Sequence, residues 1–161
     1  MKAATITELK KTLVQRDPGE VLEACLRLAR FKRDNKELLT YLLFASQNEQ
    51  SYVNDVCQEI DELFSEINRS TMYYAKKGIR KIVRRIDKCI KYSGVKESEV
   101  EIRLYFCKKL EGSGIRFRST KVTYNMFLSQ ISKIEKTIAK FHEDIQTEYR
   151  RELRKLTETP I

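Results

Sequence analysis

Along this chain apolar residues return every three or four positions, which places them on one face of an α-helix, and no segment of strand length alternates apolar with polar. The pattern predicts a short first helix from about Ile6 to Val14, closed by "RDPGE". There Asp17 can cap, Pro18 suits a first helical position and Glu20 stands where a capping box needs it, so a second helix is expected to reach about Phe31. Its expected buried stripe is Val21, Leu22, Cys25, Leu28 and Ala29. "RDN" offers a further cap, and "KELLTYLLFA" follows as a third helix, apolar nearly all round, as a central core element would be.

From about Glu49 to Asn68, Val53, Val56, Cys57, Ile60, Leu63, Phe64 and Ile67 recur at helical steps and define a fourth helix, which "NRST" breaks. A fifth runs from Tyr73 to Gly94, the glycine suiting a left-handed C-terminal residue. "VKESEVEIRLYFCKKLEG" predicts a sixth, with Val100, Leu104, Phe106, Cys107 and Leu110 available for burial. "GSGIRFRST" reads as a flexible loop, because Gly112 and Gly114 flank Ser113 and no period continues through it. Beyond it one long helix is expected from about Lys121 past Arg151, with Phe127, Ile131, Ile134, Ile138, Phe141 and Ile145 packing on neighbouring helices. Such a helix would carry its charged end, residues 146–161, beyond the body, and its stripe also admits homodimerisation through this C-terminal helix.

The expected fold is therefore all-α: a single domain, residues 1–161, of about seven helices, with antiparallel hairpins stacked as an irregular bundle or a short array. Over roughly the first two thirds of the chain the hairpin pattern resembles, in architecture, HEAT- or armadillo-type helical repeats. No motif residues of those families are matched, so the resemblance implies no function.

Composition narrows the class. Hydrophobic residues at 41% and charged ones at 34% fit a chain that buries a core and argue against a disordered chain or a membrane protein. No apolar run is long enough to span a bilayer, and "MKAATITELKK" has no secretory pattern, so a cytoplasmic protein is expected. Cys25, Cys57, Cys89 and Cys107 lack any C-x-x-C pairing and read as buried hydrophobes in a reducing compartment.

Charge is concentrated in one place. Eight lysines and arginines against the single acid Asp87 leave +7 between Tyr73 and Gly94, of a formal +9 for the whole chain. With Ala75, Ile79, Ile82, Val83, Ile86 and Ile90 on the core face, the cations cover the opposite arc. The preceding helix carries Glu49, Asp55, Glu59, Asp61, Glu62 and Glu66, and acids on its flank are expected to lie beside Arg80, Lys76 or Arg85 and to offset part of the charge. Lys77, Lys81, Arg84 and Lys88 would form an outward line beyond their reach.

That line is the candidate site, with Arg116 and Arg118 of the glycine loop as auxiliaries. It suits an acidic protein surface, the leading reading, or alternatively the phosphates of RNA or DNA, for which Tyr73, Tyr74, Tyr92 and Phe117 offer stacking surfaces. A membrane partner fits poorly, since the Ile and Val face would have to leave the core. No catalytic, cofactor or metal signature accompanies the cations. His142 is the sole histidine and is followed by no second one at the fourth position, and Glu59, Glu62 and Glu66 lack the histidine that a di-metal carboxylate bundle pairs with glutamate. The expectation is a non-catalytic binding or scaffold module without a cofactor.

Overall fold

A computed structural model of the chain describes residues 2–157, and among these every regular element is helical. Contacts divide the chain into two units between Phe44 and Ala45.

The first unit opens with α1 (Ile6–Val14). Its capping box is built by Thr5 and Glu8: the Thr5 N–H donates to Glu8 Oε2 at 2.7 Å and the Glu8 N–H donates to Thr5 Oγ1 at 3.3 Å. In α2 (Pro18–Phe31) Asp17 caps by accepting from the Gly19 N–H at 2.8 Å. Glu20 does not complete the expected box; it turns back to Arg16 at 3.4 Å. The "RDN" stretch, expected to cap, lies inside α3 (Arg33–Thr40), whose N-cap Lys32 makes no side-chain cap bond; its Asn35 donates to the Leu28 carbonyl at 2.9 Å and ties α2 to α3, which continues as one π-helical turn, Tyr41–Ala45.

Two expectations fail in this unit. None of Val21, Leu22, Cys25, Leu28 and Ala29 is buried, and the third helix is no core element: Leu42, Leu43 and Phe44 are exposed and only Tyr41 is buried. The physical reason is that an apolar run records an attraction without recording what satisfies it, and a single helix pair encloses very little surface.

The second unit holds the core. It contains α4 (Glu49–Ser65), α5 (Met72–Ser93), α6 (Lys96–Glu111), a 3-10 turn (Phe117–Ser119), α7 (Lys121–Ile138) and α8 (Glu143–Thr157). α6 is its central helix, packed against α4, α5, α7 and α8, with Val100, Ile102, Leu104, Phe106 and Leu110 all buried. The sequence disguises this role because a charged residue, Arg103, stands mid-helix and is buried too.

Arg103 is held from three helices. Its Nε donates to Glu99 Oε1 on α6 at 2.8 Å, and its Nη1 donates to Asp87 Oδ1 on α5 at 2.9 Å and to Gln130 Oε1 on α7 at 2.6 Å. Lys133 reaches Asp87 at 3.1 Å from the α7 side. No buried side-chain nitrogen or oxygen among the described residues lacks a hydrogen-bond partner, as a low-dielectric interior demands.

The single long C-terminal helix is also corrected. The chain breaks after Ile138 and restarts at Glu143, where Gln146 Nε2 donates to the Phe141 carbonyl at 2.8 Å. α8 turns back onto α6 and α7 and buries Leu153 and Leu156, so its end does not project as far as residue 157; residues 158–161 lie outside the described part. Ile145, expected in the stripe, is exposed. The glycine loop differs from expectation as well: Ile115 and Phe117 are buried, and Arg69 Nη1 donates to the Ser113 carbonyl at 2.9 Å, so packing and hydrogen bonds pin the segment.

Close approach explains one glycine. A Cβ at Gly78 of α5 would lie 2.7 Å from Ile67 Cγ1, inside contact distance. Gly78→Ala is therefore expected to lower stability by about 1 kcal/mol or more, the overpacking exceeding the helix-propensity gain of ~1 kcal/mol. Around Arg103 the order of effects is diagnostic. Asp87→Ala with Glu99→Ala strands a buried guanidinium and should cost about 3 kcal/mol, whereas Arg103→Met with Gln130→Leu removes both buried polar groups and should change stability by about 1 kcal/mol at most. Urea unfolding monitored by circular dichroism measures all three, and equal losses for the two double variants would contradict the assignment.

Candidate functional site

α5 displays its cations because both ends are fixed and one face is committed to the core. The Thr71 hydroxyl accepts from the Tyr74 N–H at 3.4 Å to start the helix, and Gly94 ends it at φ +69°, a left-handed conformation that glycine adopts without strain. Ala75, Ile79, Ile82, Ile86, Cys89 and Ile90 are buried, while Val83, expected among them, is half-buried at the edge facing α7.

The acidic flank of α4 engages α5 as charge pairing requires. Arg85 Nε donates to Glu59 Oε1 at 2.7 Å. Lys81, placed by the helical spacing in the outward line, is also drawn to this flank and reaches Glu66 Oε2 at 3.0 Å. Both partners of that pair are more than 60% exposed, at 65% and 62%, so it is a screened surface contact that contributes little to stability.

The other predicted positions have different surroundings. Lys77 is exposed and its Nζ stands 4.5 Å from the centroid of the Tyr73 ring. Lys88 is exposed and has a partner within the chain. Arg84 is exposed, and so is Arg80, which was expected beside the acids of α4; those acids take Lys81 and Arg85 instead, and neither Arg80 nor Arg84 is bound to a carboxylate among the described residues. Asp87, the one acid of the helix, is engaged by Arg103 and Lys133. Its negative charge is thereby spent on cations other than those of α5.

The loop arginines separate. Arg116 is exposed, whereas Arg118 is half-buried, donates to Glu111 and lies over the Phe117, Tyr124 and Phe127 rings at 5.4, 5.8 and 5.8 Å. Arg118 thus anchors the loop, and Phe117 is enclosed with it.

Helical spacing missed the share of α7. Lys133 meets Asp87 directly, Lys136 follows one turn later and Lys140 stands in the turn that ends the helix, the last two exposed. The signal was present in the short links: each reverses the chain, so α5 and α7 run parallel beside α6.

Groups suited to chemistry have other surroundings. His142 is exposed and its Nδ1 faces Asp144 Oδ2 at 3.4 Å, both out in solvent. Burial pushes the Cys107 thiol up to about 12 and the Cys57 thiol up to about 11, the reverse of what an activated thiolate needs. Set beside known proteins, the chain matches no family model, no curated protein and no solved structure.

At the start of α5 the Lys77 ammonium, hydrogen-bonded to the Tyr73 phenol and then acting by its charge, holds that phenol below the usual tyrosine range. Lys77→Met removes both influences, so Tyr73 should ionise at higher pH than in the parent protein. Tyrosinate absorbance across an alkaline titration, compared with Tyr73→Phe to isolate the contribution, measures the displacement; an unchanged curve contradicts the contact.

Proposed function

We propose that this protein is a non-catalytic binding module that engages an acidic protein surface through the cationic face of α5. One observation carries the reading: Arg80 and Arg84 stand exposed and unpaired with any described carboxylate, while the only acid of the helix is occupied by Arg103 and Lys133. A row of fixed positive charge with no acid interposed attracts a complementary surface, speeds encounter and repels basic competitors.

The same charges would attract RNA or DNA phosphates. The aromatic surroundings favour a protein partner. Phe117 is buried and Tyr92 half-buried, so of the rings near these cations only Tyr73 and Tyr74 are well exposed, and they pack edge-to-face on each other at 5.5 Å.

Fluorescence anisotropy with two labelled probes, a glutamate-rich peptide of about 20 residues and a single-stranded RNA of about 20 nucleotides, tests this reading. The peptide is expected to bind at low salt and to weaken about tenfold or more on Arg80→Glu with Arg84→Glu, with a smaller loss for Lys81→Ala because Glu66 already holds that lysine. Absence of peptide binding at low salt overturns the reading. Tighter binding of the RNA, with a steep salt dependence removed by the same double variant, replaces it with nucleic-acid backbone recognition.

A further inference from the structure

Between α5 and α7 the surface opens into a groove of about 330 Å³. Val83 of α5 lines one wall, Val122, Met126, Ser129 and the amides Asn125 and Gln130 of α7 line the other, and Lys133 stands at the end nearest Asp87. The two helices keep one direction here, since Val83 shares the groove with Val122 and Met126 while Asp87, one turn on, meets Lys133. The apolar groups are incompletely covered: Val122 is 44% exposed, and Val83 and Met126 are half-buried.

Cations stand on both banks. Arg80 and Arg84 bracket Val83 along α5, and Lys133 and Lys136 follow along α7 beyond Met126, with Lys140 in the turn after its end. The nearest acid, Asp87, is bound to Arg103 and Lys133, and Glu135 is turned away to the pocket between α7 and α8. An apolar seam with two arginines along its α5 bank and lysines at its far end has a specific complement. The stretch of α7 from Val122 to Lys133 spans ~16 Å, three turns of helix, which a partner helix fills with anchors at i, i+4 and i+7.

Resting on the reading of α5 as a docking face for an acidic protein, we propose that the occupant of this groove is an acidic amphipathic helix of the partner. Its apolar stripe seats on Val83, Val122 and Met126, carboxylates along one flank face Arg80 and Arg84, and carboxylates toward one end face Lys136. A phosphate backbone could use the cations alone and would gain nothing from the seam; a helix with both features gains from each.

Two labelled 18-residue peptides on the full chain provide the test: one helical, glutamate-flanked, with leucines at i, i+4 and i+7, and one with those leucines replaced by alanine. The leucine peptide should bind about tenfold or more tightly than the alanine peptide, and Val122→Ser with Met126→Ser should erase that difference while leaving the weaker binding in place. Methyl resonances of Val83, Val122 and Met126 should move on adding the leucine peptide. Equal affinity of the two peptides, with both lost on Arg80→Glu and Arg84→Glu, overturns the groove and leaves the acidic-surface reading standing. Failure of both peptides to bind overturns the two together. A concentration-dependent dimer that the serine double variant dissociates would assign the groove to a second copy of this chain and overturn the proposal.

Discussion

Arg103 is 4% exposed among three helices, and a guanidinium in that position has to be surrounded by acceptors or the fold is lost. Glu99 on its own helix, Asp87 from α5 and Gln130 from α7 supply them, and their directions leave little choice of register among the three helices. A neutral side chain could fill the same space without specifying how far α5 and α7 slide along α6. Fixing that slide also has an effect at the surface. Asp87 would otherwise stand among eight basic residues and reduce their field; tied to Arg103 and Lys133, it leaves the outer cations of α5 without an acid on their own helix. The buried network and the cationic face are thus two sides of one constraint.

Much of the second unit was legible. α4 and α5 each bury one face and wet the other, so helical spacing identifies both the elements and their inward residues, and Thr71, Gly94 and the "NRST" link mark the ends. α6 was legible as a helix but not as the centre, because Arg103 interrupts its apolar character and a buried charge is recognisable only when its partners on other helices are known. The opposite error occurs at residues 36–45, whose nearly continuous apolarity suggests a core and where Leu42, Leu43 and Phe44 are exposed. A stripe also continues through Phe141 and Ile145, yet the chain turns there so that Leu153 and Leu156 reach α6 and α7; two buried leucines outweigh the continuity of a helix that would otherwise leave them in water.

The candidate site was legible in one half. A wheel drawn on a single helix finds the cations of α5, but it treats Lys81, Arg84 and Lys88 as equals because it contains no neighbours. With α4 in place, Lys81 joins Glu66, and with α7 in place the unpaired side of the helix becomes the one bearing Arg80 and Arg84. Lys133, Lys136 and Lys140 lie more than 40 residues beyond those arginines in the chain, and only the packing of α5 and α7 on α6 brings the two sets to one face.

The division of labour on that face follows from how each force depends on distance and salt. Exposed charges act over about 8 Å at physiological ionic strength, so in the proposed reading the arginines of α5 and the lysines at the end of α7 would orient an acidic segment before contact, a contribution that declines as salt rises. Apolar burial acts only at contact and is not screened; covering the exposed parts of Val122, Val83 and Met126 would add stabilisation of about 25 cal/mol for each Å² removed from water. A surface with charge alone binds many polyanions and releases them readily. Adding a short apolar seam parallel to the charges imposes a second condition, that the partner present side chains of the right kind on one helical face, and it is the coincidence of both conditions between α5 and α7 that distinguishes this face from a merely basic one.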